Sequence, residues 1–355
     1  MKSTCNFLIV VVLACNLFIG CKKDAPEIVT SDQGKPGEVL GADTLGYDSV
    51  DVFISGAEYV ALNKWNACYW KNGAMHILDT DHSVANDIIV SEDNVIVGGE
   101  FEGKPCYWEN GKRIVIDDRT GKVKAVGFHK GELYLVGELY DENENISKAF
   151  VWNKTTRILD SGYASDIAFS DGNVYISGMD SKNPCYWRNG IKTKLSGNFG
   201  HGYAIEVAEN NVYVAGEYRP TNGGYYLAGY WKNGEFISPL GNSAYIINIG
   251  IRSGDVYILG NEVDSKNADR VEDNAVVVKG NKKTVLSAGK NSVSGAADIA
   301  FNGENEYVLG SYSLISGPDR APHTCYWQNG KLHTVGESQT VGTAILLNPR
   351  VSQGK

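Results

Sequence analysis

The sequence predicts an all-β fold, a seven-bladed β-propeller closed by its C-terminal strand, and three observations carry that prediction. A four-strand unit recurs along the chain, most clearly as ASDIAF (residues 164–169) followed by VYISGMDSKNPCYWRNGIKTKL (residues 174–195). Its short alternating runs end at glycine or at Asn-Gly, which is how strands and tight hairpins read in sequence. The first unit lacks an opening strand, whereas residues 344–347 form such a strand with no unit after it. Composition agrees: 41 glycines and 20 tyrosines against three methionines in 355 residues favour turns and strands over helices.

The chain opens with Lys2, an apolar run over residues 7–14 and a polar-to-small stretch ending at Gly20. That order is a secretory signal peptide, and the run is too short to span a membrane before Lys22, Lys23 and Asp24. Phe18-Ile19-Gly20-Cys21 resembles a bacterial lipobox, whose cysteine becomes the acylated N-terminus; Phe18 stands where that motif usually has leucine. Val12-Leu13-Ala14-Cys15 is a competing match, but cleavage there would leave Leu17, Phe18 and Ile19 exposed, so Cys21 is the expected lipidation site. In the lipoprotein pattern this segment resembles, an aspartate directly after the cysteine retains the protein in the inner membrane of some bacteria. With Lys22 there instead, the resemblance implies the outer membrane, on its periplasmic side or at the cell surface. Residues 21–49, with Pro26 and Pro36 and neither apolar period, read as a flexible tether, leaving residues 50–348 for the propeller and 349–355 as a tail.

Within the repeats, a strand ending in glycine recurs at Gly56, Gly99, Gly137, Gly178, Gly216, Gly260 and Gly310, spaced 38 to 50 residues apart. A second strand carries Trp70, Trp108, Trp152, Trp187, Trp231 and Trp327, with Val278 in the sixth copy. A residue type returning at one slot is expected to fill the gap between neighbouring sheets. Five copies then turn through Asn-Gly (72–73, 110–111, 189–190, 233–234 and 329–330), which suits a type I′ hairpin with two positive φ angles. Lys154-Thr155 and Gly280-Asn281 replace it elsewhere, so those turns should differ. The Ala-led strands, beginning at Ala85, Ala125, Ala164, Ala204, Ala244, Ala297 and Ala344, complete each unit. The last should fold back onto the first unit and remove its free edge.

The order Cys-Tyr-Trp, Asn-Gly, leucine, Ser-x-Ala and Val-Gly-Gly in residues 68–99 resembles the extracellular repeats called HAF. Cys-Tyr-Trp departs from that family's Ala-Phe-Leu-Trp. The resemblance covers most of residues 50–347 and implies a secreted or surface repeat protein without a defined activity.

Cys68, Cys106, Cys185 and Cys325 share one slot before Tyr-Trp in different units, too far apart to bridge and expected to be buried as small apolar residues. Asp87, Asp166, Glu206 and Asp298 read as one repeated acidic slot, expected to accept hydrogen bonds within the fold rather than to form a glycosidase pair. The six histidines are scattered and no metal or cofactor motif is present, so no metal, cofactor or catalytic residue is expected. A net charge of −9 leaves no basic face for nucleic acid.

Binding residues are sought where the repeat does not dictate them, on the long loops after the glycine strand. Those loops and their rim carry Glu217, Tyr218, Arg219, Tyr225, Tyr226, Tyr140, Tyr312 and Arg320. The expected function is a monomeric, lipid-anchored envelope module that binds a glycan or an envelope protein without catalysis. The alternative is a propeller hydrolase acting on glycans or other envelope polymers.

Overall fold

The computed structural model describes residues 50–350 apart from 93, 221–224, 240–243, 265–271 and 318–319. The expected signal peptide, lipidation site Cys21 and tether lie outside the described residues.

Five four-stranded antiparallel sheets and one seven-stranded sheet form a β-propeller. The first sheet contains β1 (Val50–Ala61), β2 (Lys64–Lys71) and β3 (Ala74–Ile77); the second contains β4 (Ser83–Ser91), β5 (Asn94–Phe101), β6 (Lys104–Glu109) and β7 (Lys112–Val115). The seven-stranded sheet runs through β8 (Gly121–His129), β9 (Glu132–Asp141), β10 (Ile146–Asn153), β11 (Thr155–Ser170), β12 (Asn173–Asp180), β13 (Asn183–Arg188) and β14 (Ile191–Lys194). Here β11 pairs with β10 through residues 155–161 and with β12 through residues 162–170, so one long strand closes one meander and opens the next. The remaining sheets are β15 (Asn198–Ala208) to β18 (Glu235–Ile237), β19 (Ala244–Arg252) to β22 (Lys282–Leu286), and β23 (Ser292–Asn302) to β26 (Lys331–Ser338); β16 is Asn211–Arg219, β17 Leu227–Lys232, β20 Asp255–Asp264, β21 Glu272–Lys279, β24 Asn305–Leu314 and β25 His323–Gln328. Finally β27 (Thr340–Pro349) pairs antiparallel with β1, on the edge away from β2. The C-terminal strand thus completes the first sheet, and it runs over ten residues where the sequence indicated only 344–347.

The inner strands β4, β8, β11, β15, β19, β23 and β27 each carry a bulge against the glycine strand, at Asn86, Lys124, Ser165, Tyr203, Ile247, Ala297 and Thr343. The bulge explains the recurrent glycine: a Cβ on Gly99 would sit 2.0 Å from the Val84 carbonyl oxygen and 3.0 Å from the Trp108 ring. At Gly178 the same carbonyl contact, from Tyr163, would be 1.9 Å. Backbone cannot retreat from such a contact, so no other residue fits.

Trp70, Trp108, Trp187, Trp231 and Trp327 are fully buried, as the repeat requires. Trp152 is the exception and corrects the expectation. In that copy Phe150 stands opposite Gly137, where Cys68, Cys106, Cys185 and Cys325 stand opposite their own glycines. Its larger ring is itself fully buried against Gly137, and Trp152 remains half-buried beside Tyr107. The four cysteines are buried and free.

At each Asn-Gly turn both residues have positive φ, for instance 51° at Asn72 and 82° at Gly73. The asparagine side chain also accepts the backbone N–H of the neighbouring glycine strand, as in Val52 N to Asn72 Oδ1 at 2.9 Å and Val174 N to Asn189 Oδ1 at 2.9 Å. Asparagine therefore combines tolerance of the left-handed conformation with a tie that glycine could not make. The divergent copy at Lys154 has a positive φ only on its first residue, Thr155 already lying in β11.

Candidate functional site at the mouth of the propeller axis

Because an extra residue at a bulge re-aims its side chain, all seven bulge residues point toward the axis and line a cavity of about 1200 Å³ at the end where the inner strands begin. A smaller cavity of about 270 Å³ lies beyond them. Asp166, Asn248 and Asp298 line both, so a polar layer separates the two spaces.

That layer ties the sheets together. Asp87 accepts the N–H of Ile88 at 2.8 Å and of Val126 in the next inner strand at 2.7 Å. Asp166 accepts Ile167 at 2.7 Å and Ile205 at 2.9 Å; Asp298 accepts Ile299 at 2.7 Å, Ile345 at 2.8 Å and the Asn248 amide at 2.6 Å. Burial is the largest influence on these carboxyls and pushes Asp87 up to about 7, Asp166 to about 6 and Asp298 to about 8, against the pull of the backbone N–H groups. The expected structural role of the repeated acid is therefore observed, with one correction. Glu206 does not share the slot: the bulge at Tyr203 sets Ala204 opposite Ala215, so Ala204 occupies the acid's position and Glu206 lies two residues beyond, lining the smaller cavity.

Above the layer, β11 and β15 build an aromatic column. His201 stacks on Tyr203 at 4.6 Å between centroids and on Tyr163 at 5.7 Å. Its Nε2 lies 2.8 Å from Ser165 Oγ, and burial lowers the imidazole to about 4, keeping it neutral. The Tyr203 hydroxyl donates to Glu217 Oε1 at 2.9 Å; burial raises the Glu217 carboxyl, and that hydrogen bond opposes the rise. Glu138 pairs with Lys122 at 3.1 Å. Lys124 enters the same cavity from its bulge; its side chain stays exposed to solvent there, and the surrounding protein together with Lys122 lowers its ammonium.

The loop residues singled out in the sequence divide. Glu217, Tyr312 and Arg320 line the cavity, Tyr312 stacked on His323 at 5.0 Å. Tyr218 is a packing residue, edge-on to Phe236 at 4.8 Å and tilted over Trp231 at 6.0 Å, because its place in β16 turns it toward β17 and β18. Tyr140 bonds Asn145 within its own hairpin. Arg219 is exposed at the end of β16, and Tyr225 and Tyr226 are 83% and 47% exposed before β17; none of these three lines the cavity. Sequence reading missed Lys124, Tyr163, Ser165, His201 and Tyr203, since they sit on the regular inner strands rather than on the long loops.

Chemically, the site offers rings, hydroxyls and a few charges. Ser165 and His201 have the spacing of a nucleophile and its base, but among the described residues no carboxylate bonds His201 to orient it. Nor do three or more His, Cys, Asp or Glu residues gather as a metal site among the described residues.

No family model and no curated protein matches the chain. Among solved structures it is similar to acylaminoacyl peptidase from Pyrococcus horikoshii, with 11% identity, TM-score 0.48 and coverage of 84% of this chain and 54% of that one. It is also similar to a putative TolB from Agrobacterium tumefaciens (11% identity, TM-score 0.42, 67% and 89% covered) and to the β-propeller domain of the Trilobed protease from Pyrococcus furiosus (10%, 0.45, 72% and 86%). The chain spans about half the length of the acylaminoacyl peptidases it matches. Likenesses this distant carry nothing about activity.

Proposed function

We propose that the chain is a seven-bladed propeller, tethered through lipidated Cys21 at the bacterial outer membrane, that captures a glycan at the mouth of its axis without transforming it. The blade count takes β11 as shared between two blades, so that each bulged inner strand belongs to one blade. The lipobox-like segment supports the address, and the HAF-like order of residues 68–99 supports a surface repeat protein. The observation that carries the binding reading is the Tyr163–His201–Tyr203 column in a 1200 Å³ cavity, since flat rings flanked by hydroxyls and carboxylates suit the apolar faces and hydroxyl edges of sugars.

A glycan array probed with the full-length protein tests the reading. Binding should be lost in Tyr163→Ala and Tyr203→Ala variants that keep the wild-type melting temperature, and should survive Tyr225→Ala with Tyr226→Ala. The Ser165 to His201 contact favours a second reading, a hydrolase acting on envelope polymers. Covalent labelling of Ser165 by a fluorophosphonate probe would support it; absence of labelling supports capture alone.

A further inference from the structure

The charged groups that line the mouth cavity are not equally engaged. Each of its carboxylates already has a partner inside the protein: Asp87, Asp166 and Asp298 hold backbone N–H groups, Glu138 holds Lys122, and Glu217 holds the Tyr203 hydroxyl. The side chains of Lys124 and Arg320, the cations that line the cavity, make no ion pair or hydrogen bond among the described residues. Glu100 and Glu138 lie close enough to Lys124 to favour its charge, yet neither comes within ion-pair distance, and Lys122 opposes them. Burial also pushes the cavity carboxyls toward their neutral forms while it penalises the Lys124 ammonium. The charge left unanswered in the cavity is therefore positive, although the whole chain is acidic at −9.

Lys124 springs from a place that the strand register fixes. It stands at the bulge of β8, opposite the β9 step between Val136 and Gly137, next along the inner ring to Ser165, and near enough to influence His201. An anion arriving there would meet the ammonium and the Ser165 hydroxyl beside the aromatic column. The Lys124 side chain is exposed to the cavity, so an anion reaches its ammonium directly, and the partial loss of hydration there strengthens a charge-assisted hydrogen bond.

Resting on the glycan-capture reading, we propose that the ligand is an acidic saccharide, a chain of uronic acid residues with one carboxylate paired with Lys124 and a further carboxylate met by Arg320, which lines the same cavity. The neutral His201 then serves as a ring surface and hydrogen-bonding partner rather than as a second cation.

Calorimetric titration of the full-length protein in detergent with hexagalacturonate and with cellohexaose tests this. Hexagalacturonate should bind at least tenfold more tightly at low salt, and the preference should shrink as salt rises. Lys124→Met should bring the two probes to within about twofold, Lys124→Arg should restore most of the preference, and Arg320→Ala should reduce it in part; melting curves establish that each variant is folded. Equal affinity of the wild type for the two probes, or a preference for cellohexaose, overturns the acidic-saccharide assignment and leaves glycan capture standing. A preference that survives Lys124→Met moves the anion elsewhere and also overturns it. Binding of neither probe, together with a blank glycan array, overturns capture itself.

Discussion

Asp298 joins three sheets through one carboxyl, and its raised pKa gives the fold a pH dependence whose sign can be worked out. In the unfolded chain an aspartate loses its proton near 3.8, whereas in the folded protein Asp298 keeps it to about 8. Between those values the folded state binds more protons than the unfolded one, so stability falls as pH rises through that window. A tenfold difference in proton affinity is worth about 1.4 kcal/mol, so the full effect of Asp298 is on the order of 5 kcal/mol, less whatever the neighbouring carboxyls screen or share. Asp87, Asp166 and Glu206, raised to about 7, 6 and 7, push the same way. His201 opposes them only below 6.5, where the unfolded chain takes a proton that the buried imidazole refuses down to about 4. Urea unfolding followed by tryptophan fluorescence at pH 5, 6.5 and 8 should therefore show the highest midpoint at pH 5 and the lowest at pH 8. Asp298→Asn leaves one carbonyl oxygen for the donors of Ile299, Ile345 and Asn248, so at pH 5 it should cost roughly 1–3 kcal/mol for each donor left without a partner. Because the variant cannot ionise there, its profile should be flatter and the gap from wild type should narrow by pH 8. A wild-type midpoint that stays level or rises from pH 5 to 8 would show that the backbone N–H groups outweigh burial at these carboxyls, and would refute the reasoning.

Three further outcomes are expected. Gly99→Ala should destabilise the fold by at least ~3 kcal/mol, since its Cβ would meet the Val84 carbonyl at 2.0 Å, while Gly111→Ala, with open space around it but a φ of 81°, should cost only ~1 kcal/mol; thermal melts distinguish them. Deleting residues 340–355 strips β27 from β1 and exposes a long edge, so circular dichroism and light scattering should report unfolding or aggregation, whereas deleting residues 24–43 should leave the melting temperature unchanged. Cys21→Ala should abolish metabolic acyl labelling and release the protein from membranes, and Cys15→Ala should do neither; the reverse result would move the anchor to Cys15.

Much of the fold was legible because the repeat writes the same physical demand several times. Glycine recurs where a bulged neighbour presses a carbonyl onto the strand, asparagine recurs where a turn needs a left-handed residue with an acceptor, and the unpaired strand at residues 344–347 has an edge waiting for it on β1. What could not be read was the bulge itself, because an extra residue in one strand leaves no mark in the alternation of the other. Counting from the alanine therefore put Glu206 one alternation step too far along, and Lys124 and Tyr203 read as ordinary strand residues although they face the axis. A usable signal did exist. The residue at the bulge differs in every copy, from Asn86 to Thr343, on a strand whose apolar alternation recurs, and such variation on a rigid element is where specificity can be stored. Phe150 shows a second limit, since only the paired register reveals that it has taken a cysteine's position and displaced Trp152.

Hydrogen–deuterium exchange of the full-length protein, with and without the saccharide that gives the strongest array signal, tests most directly where recognition happens. Capture at the axis mouth requires added protection over residues 121–125, 163–166, 200–204 and 244–247, where the inner strands open into the cavity, and none over residues 167–170 or 205–208 on the far side of the carboxylate layer. Protection confined to the outermost strands, or to the far side, would contradict it.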